Sequence, residues 1–247
     1  MDLIRLGSAA EVLVATGHDP YARSSLREPV DRAWSGGGAT AWLGTDPQED
    51  QAYLTTHGTP AAVGALLGAL LPELPPRQRV TVPRGTAAHL PAGVGLDGTD
   101  WDFRWLAAPP PVQPGEGDVV TVADDNAVRA LLAAASHTAS ARPGDPGVRR
   151  WVGVRWTGDL AACAADTTGA TGVGHLSSIA VHPAARRAGL GRAVTAALTR
   201  TLFREGCDVV ALAMYADNAV GRRLYDGLGF VDEHRWTSGP LLVRGQR

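Results

Sequence analysis

Between Val173 and Arg204 the chain reads as a strand, a tight turn, a glycine-rich loop and a helix, and this order restricts the fold more than any other stretch. The apolar run Leu176-Ser177-Ser178-Ile179-Ala180-Val181-His182-Pro183 predicts a strand closed by proline. Arg186-Arg187-Ala188-Gly189-Leu190-Gly191 follows directly, and Arg192 to Arg204 carries Val194, Leu198, Leu202 and Phe203 at helical spacing. Two glycines at a helix start let the backbone come close to a ligand. The unsatisfied N–H groups there, at the positive end of the helix dipole, suit a pyrophosphate. The guanidinium groups of Arg186, Arg187 and Arg192 suit it further.

Two common nucleotide loops are excluded. A dinucleotide fingerprint needs a third glycine three residues beyond the second, and Gly189 and Gly191 have none. A Walker loop needs a lysine on the phosphates, and all 23 residues counted as Lys+Arg are arginine. What remains is R-x-x-G-x-G after a strand ending Val-x-Pro. Downstream, Cys207-Asp208-Val209-Val210-Ala211-Leu212-Ala213-Met214 predicts another strand, followed by Asn218 as helix N-cap, Tyr225 near that helix's end and a Gly229-Phe230 step. Tyr225 lies seven positions after Asn218, two turns along one face, with Gly221 between them.

The loop and this second motif, in this order, resemble the GCN5-related N-acetyltransferases (GNAT), whose loop grips the pyrophosphate of acetyl-CoA. The resemblance covers residues 173–236 best. It implies an α/β (α+β) fold with a central mixed, mostly antiparallel sheet flanked by helices. It also implies acetyl-CoA as cosubstrate, an amine as acceptor and no metal. Carried over residue by residue, cofactor binding falls to Ile179, Ala180, Val181, Arg186, Arg187, Ala188, Gly189, Leu190, Gly191, Arg192, Asn218 and Tyr225. A backbone N–H near Ile179 would face the thioester carbonyl and hold the developing oxyanion. Tyr225 takes the family's acid position: a phenol near ~10 stays protonated beside a thiol near ~8.5 and donates as the thiolate forms. The plainer reading is a ring packed on the sheet with its hydroxyl on a backbone carbonyl.

At the base the chain departs from the family's commonest pattern. Many members carry a Glu eleven positions before the loop's first residue, and here His175 stands there. Alternation places His175 on the face of Ser177, Ile179 and Val181. An imidazole near ~6.5 accepts a proton from the attacking amine directly or through water. A half-exposed histidine bonded to a loop is the alternative. His182 reads as a solvent residue, and Asp145 and Asp166 as solvated loop acids or contacts for a cationic acceptor.

The segment Ala107 to Gly117, with four prolines and two glycines, predicts the domain break. We expect an N-terminal α/β domain over 1–108, a linker over 109–116 and the acetyltransferase domain over 117–247. In the first part, paired strands at 39–44 and 51–56, a Thr59-Pro60 helix start and a strand at 79–82 faintly echo the second part. Where the echo would need a phosphate loop the chain has His57-Gly58-Thr59-Pro60, with no Arg and one Gly. A degenerate copy of the acetyltransferase domain and an unrelated lid or dimerisation domain both fit. A net charge of −2 argues against a nucleic-acid partner, and no apolar run reaches a membrane span. Cys163 and Cys207 read as reduced thiols in apolar strands, so we expect a cytoplasmic protein; homo-oligomer formation is left open. The expected activity is N-acetyl transfer to a primary amine of a small molecule or peptide by direct attack. The alternative is a non-catalytic acyl-CoA sensor.

Overall fold

The computed structural model describes residues 2–26, 30, 32–46, 49–169 and 171–243. The chain divides into two compact units: Met1–Phe103 with Tyr215–Asp217 and Glu233–Arg247, and Arg104–Met214 with Asn218–Asp232.

The first unit begins with β1 (Ile4–Leu6), α1 (Ala9–Ala15) and α2 (Pro20–Ser25), and continues through β2 (Ala33–Gly36), β3 (Ala39–Asp46) and β4 (Glu49–Gly58). Helix α3 (Pro60–Leu70), β5 (Arg79–Pro83), β6 (Val94–Leu96) and β7 (Thr99–Leu106) follow, β7 running across the division between the units. Helix α3 starts where Thr59 accepts from the Ala62 N–H at 3.2 Å and Pro60 fills the first turn, which has no use for its missing N–H. It buries Val63, Leu66, Leu67 and Leu70 in a cluster with Trp34, Leu54, Val80 and Val82. Strands β4 and β5 run parallel, in register from Tyr53↔Arg79 to Thr55↔Thr81.

The second unit contains β8 (Val120–Val122), α4 (Asp125–Ala135), β9 (Arg150–Trp156), β10 (Asp159–Asp166), β11 (Val173–Val181), α5 (Leu190–Arg204), β12 (Val209–Tyr215) and α6 (Ala219–Asp226). Strands β8 to β11 are antiparallel neighbours in chain order, and β12 joins β11 in parallel. This is the mixed, mostly antiparallel sheet expected, with helices on both faces. On one face α5 packs Val194, Leu198 and Leu202 against Val152, Val154, Ala162, Ala164 and Leu176. On the other, α4 packs Val128, Leu131 and Leu132 against Trp151, Cys163, Ala165 and Ala180. Truncating a fully buried leucine such as Leu198 to alanine removes about 2–5 kcal/mol.

The division differs from the expected one in two respects. The final strand, β13 (Val231–Val243), is split: Trp236 to Pro240 pair antiparallel with β5 of the first unit, and Leu241 to Val243 with β6. The segment 109–116 lies inside the second unit and is bonded to α5. There Arg200 donates to the Pro110 carbonyl at 3.0 Å and pairs with Glu116 at 3.5 Å.

Candidate active site

The loop before α5 leaves its N–H groups available. After β11, His182 caps the single turn Pro183–Ala185, its Nδ1 accepting from Ala184 N–H at 3.3 Å, and the side chain is exposed as expected. Arg187 and Gly189 then take positive φ values of 69° and 81°, so the backbone reverses twice before the helix. Gly189 is the N-cap, and among the described residues no side chain caps α5; its first bonded N–H is that of Ala193, which donates to the Gly189 carbonyl at 3.0 Å. Side chains accept at the starts of α1, α2, α3, α4 and α6. The unused N–H groups of α5 carry partial positive charge, and exposed Arg186, Arg187 and Arg192 surround them.

Gly191 marks where three elements converge. A Cβ there would stand 3.1 Å from Leu224 of α6 and 3.2 Å from Val181 of β11, so glycine lets α5 close on both without either side chain giving way. Arg192 lies with its guanidinium against Gly227 at the end of α6. The predicted binding residues Val181, Leu190, Gly191 and Arg192 are thereby brought together with the helix that carries Tyr225.

Strand β11 loses its partner on one side at this point. Its register with β12 runs from Val173↔Val209 to Leu176↔Leu212, leaving Ser177 to Val181 unmatched on that edge. On the other edge β10 advances two residues, Cys163 to Ala165, while β11 retreats three, Ala180 to Ser177. The extra residue is a β-bulge at Ser178, whose φ is +48°. No residue of β10 or β12 is in register with Ser178 or Ile179, so the N–H of Ile179 lies at a break in both ladders.

The bulge corrects the expected placement of His175. Leu176, Ile179 and Val181 all pack on the α5 face, whereas Ala180 packs on the α4 face. His175, next to Leu176, therefore shares the α4 face with Ser177 but not with Ile179 and Val181. Strict alternation fails because the bulge adds one residue between them. His175 Nδ1 is 2.7 Å from the Thr167 hydroxyl, which also donates to the His175 carbonyl at 3.4 Å, and the His175 N–H donates to Thr168 at 3.0 Å. Ser178 is fully engaged: it accepts from Ala141 N–H at 2.8 Å and donates to the Ala141 carbonyl at 2.9 Å. Ser140 and Ser177 add a bond of 2.8 Å, tying the loop after α4 to the bulge.

In α6 the Asn218 side chain accepts from the Gly221 N–H at 2.8 Å, the N-cap read from the sequence. Gly221 itself keeps room for that cap, since a Cβ would stand 2.7 Å from the Asn218 amide. Tyr225 is buried among Leu176, Val194, Leu198 and Leu228, with its ring edge-on to Phe230 at 5.9 Å. Burial pushes its phenol up to about 12, against a smaller downward pull from Arg104. No described residue hydrogen-bonds its hydroxyl, so the carbonyl partner of the plainer reading is not found.

Arg104 was not anticipated. Only 2% exposed in β7, it donates to the carbonyls of Arg222 at 3.3 Å and Phe230 at 2.9 Å and pairs with Asp226. It thus fastens the end of α6 that carries Tyr225. The sequence signal is Asp102 and Arg104 at alternate positions of an aromatic strand, a pattern that looks like a solvent face; both are buried.

Two further expectations change. Asp166 is no loop acid: it ends β10, fully buried, with Arg150 at 3.0 Å and Arg149 at 3.6 Å. Cys163 is buried in β10 as expected, but Cys207 sits in the turn before β12. Among the described residues no helix is long and apolar enough to cross a membrane.

The fold and the loop define an acyl-CoA-dependent acyltransferase. Residues 121–230 match the model of the acetyltransferase (GNAT) family. The fold is shared over nearly the whole length with solved GNAT structures. A GCN5-related N-acetyltransferase from Sphaerobacter thermophilus aligns with a TM-score of 0.62 at 18% identity, covering 96% of this chain and 95% of its own. One from Kribbella flavida gives 0.53 at 19% identity, covering 98% and 97%. A tandem GNAT protein from the clavulanic acid biosynthesis pathway gives 0.53 at 16%, covering 100% and 99%. No curated protein matches the chain by sequence.

Proposed function

We propose that the second unit transfers an acetyl group from acetyl-CoA to a primary amine of a small molecule or peptide by direct attack. The convergence of the uncapped α5 start, the unmatched end of β11 and the α6 helix at Gly191 carries this reading. The pyrophosphate binds the N–H groups from Ala188 to Arg192, and the pantetheine arm pairs with the backbone of Ile179 to Val181.

The break between β11 and β12 opens the sheet from its α5 face toward its α4 face. The amine enters on the α4 face, where His175 takes its proton, directly or through water. That role needs Nδ1–H to donate to Thr167, leaving the lone pair on Nε2. The amine nitrogen attacks the thioester carbon, and the Ile179 N–H holds the oxyanion. As the tetrahedral intermediate collapses, the C–S bond breaks and the thiolate takes a proton from Tyr225. A phenol raised to about 12 stays protonated across the neutral range, so it is always ready to donate. On this reading base and acid act from opposite faces of one opening, which the bulge at Ser178 supports.

The first unit is best read as a degenerate copy of the same fold, supported by its strand, helix and parallel-strand order and by the tandem neighbour. The test is thiol release from acetyl-CoA by the full-length protein across a panel of primary amines, with mass spectrometry of the products. We expect amine-dependent thiol release and an acetylated amine. Tight CoA binding with no acetylated product from any amine class would overturn the catalytic reading.

A further inference from the structure

The first unit holds a cavity of about 610 Å³ walled in part by Ser35, Thr40, His57, Arg84 and His234. At its edge Asp19, His57 and His234 each present one donor atom, all within 4.8 Å of one another. Asp19 Oδ2 is 2.6 Å from His234 Nε2 and 3.9 Å from His57 Nε2.

Each side chain is held by its own element. Asp19 divides its oxygens: Oδ1 caps α2, accepting from Tyr21 N–H at 2.9 Å and Ala22 N–H at 3.1 Å, while Oδ2 faces the imidazoles. His57 stands near the end of β4, beyond the last matched pair with β5. His234, on β13, packs against Trp236 with ring centres 5.2 Å apart, and its ring is 6.1 Å from that of His57. The side chains are 11% (Asp19), 29% (His57) and 20% (His234) exposed, sheltered yet reachable. Of the cations in the wall, Arg84 is paired with Asp100 at 3.1 Å and Asp102 at 2.7 Å, so its charge is met; Arg235 also lines the cavity.

We propose that Asp19, His57 and His234 form a binding site for a divalent transition-metal ion of the zinc class. Two imidazole nitrogens and one carboxylate oxygen suit zinc and its first-row neighbours, whereas calcium and magnesium take oxygen ligands. Three protein ligands leave a fourth position, which here opens to the cavity for water or an anionic group of a bound ligand. Ligands ~2.0–2.1 Å from a tetrahedral ion lie ~3.4 Å apart, between the two separations observed, so a movement under ~1 Å completes the geometry. Cysteine and histidine spacing gave no sign of this site, because the fold gathers residues 19, 57 and 234 from a helix cap and two strands.

The test uses the tag-free full-length chain, stripped with a chelator and titrated with Co²⁺ and then Zn²⁺. We expect one ion per chain, with visible Co²⁺ bands that Zn²⁺ abolishes. His57→Ala, His234→Ala and Asp19→Asn, the last keeping a capping oxygen for α2, should each weaken Zn²⁺ binding at least ~10-fold. CoA affinity should stay unchanged in all three, and a native circular-dichroism spectrum with a native-like denaturant transition reports that the first unit is folded. His57→Gln serves if the alanine variant fails to fold. No ion on the native chain, or undiminished binding in the folded histidine variants, would show that the three residues are only a hydrogen-bonded cluster.

Discussion

Both units contain a parallel strand pair that parts after a few residues, with a helix starting at the parting, yet the two helix starts are opposites. In the second unit the pair β11 and β12 parts after Leu176↔Leu212, and α5 begins at a bare Gly189. In the first the pair β4 and β5 parts after Thr55↔Thr81, and α3 begins at Thr59-Pro60. Thr59 already occupies one N–H of its helix, and Pro60 has none to offer. A backbone arrangement that suits an anion is therefore not sufficient; the side chains at its mouth decide whether the helix caps itself or waits for a ligand.

The largest expected effect separates chemistry from binding. Tyr225→Phe should lower turnover by ~10²–10⁴-fold while leaving CoA affinity unchanged, because the lost donor acts only as the thiolate forms. Single-turnover kinetics with calorimetry check it, and an unchanged chemical step would retire Tyr225 as the acid. Next, Gly189→Asp should weaken CoA binding by at least ~10²-fold, about 2.7 kcal/mol. Aspartate tolerates a positive φ, so the fold should survive while a carboxylate faces the pyrophosphate. Retained affinity would mean that the open helix start is not the phosphate site.

A third prediction concerns the two faces of the β11 bulge. With acceptor below saturation, the rate should rise ~10-fold per pH unit on its acidic limb as the imidazole of His175 loses its proton. His175→Ala should flatten that limb, His175→Gln should not restore it and His175→Glu should restore part of the rate. Thr167→Val should lower the rate and alter this limb by releasing the ring, whereas a merely structural loss would leave the pH profile's shape intact. A native profile in the alanine variant removes His175 from the mechanism. The smallest effect tests the other half of the comparison. Thr59→Ala should cost about 1 kcal/mol of stability, read by denaturant titration, while calorimetry still finds one CoA per chain. A second CoA on the native chain would break the contrast altogether.

Legibility in the sequence followed how local each feature is. Gly189, Gly191 and Asn218 work through their own backbone neighbourhoods, so the loop and both helix starts could be read directly. The bulge at Ser178 was hidden because its run of β11 looks like any alternating strand. The partner that Ser178 bonds lies elsewhere, at Ala141 in the loop after α4. Arg104 was hidden for a similar reason: its partners are 118 and more residues away. The short strands β1, β2 and β6 are too brief for any period to show.

The split of β13 has a consequence for biosynthesis. Strand β5 of the first unit is made before strands β8 to β12 of the second, but its antiparallel partner, Trp236 to Pro240, only after them. The first unit's sheet must therefore wait with an open edge on β5 until the ribosome has delivered the strands of the second unit. In the meantime β8 to β12 have emerged in order and can pair. A stop codon shortly before Trp236 would leave the CoA-binding loop encoded intact, yet strand the N-terminal half with an unpaired strand and a route to aggregation.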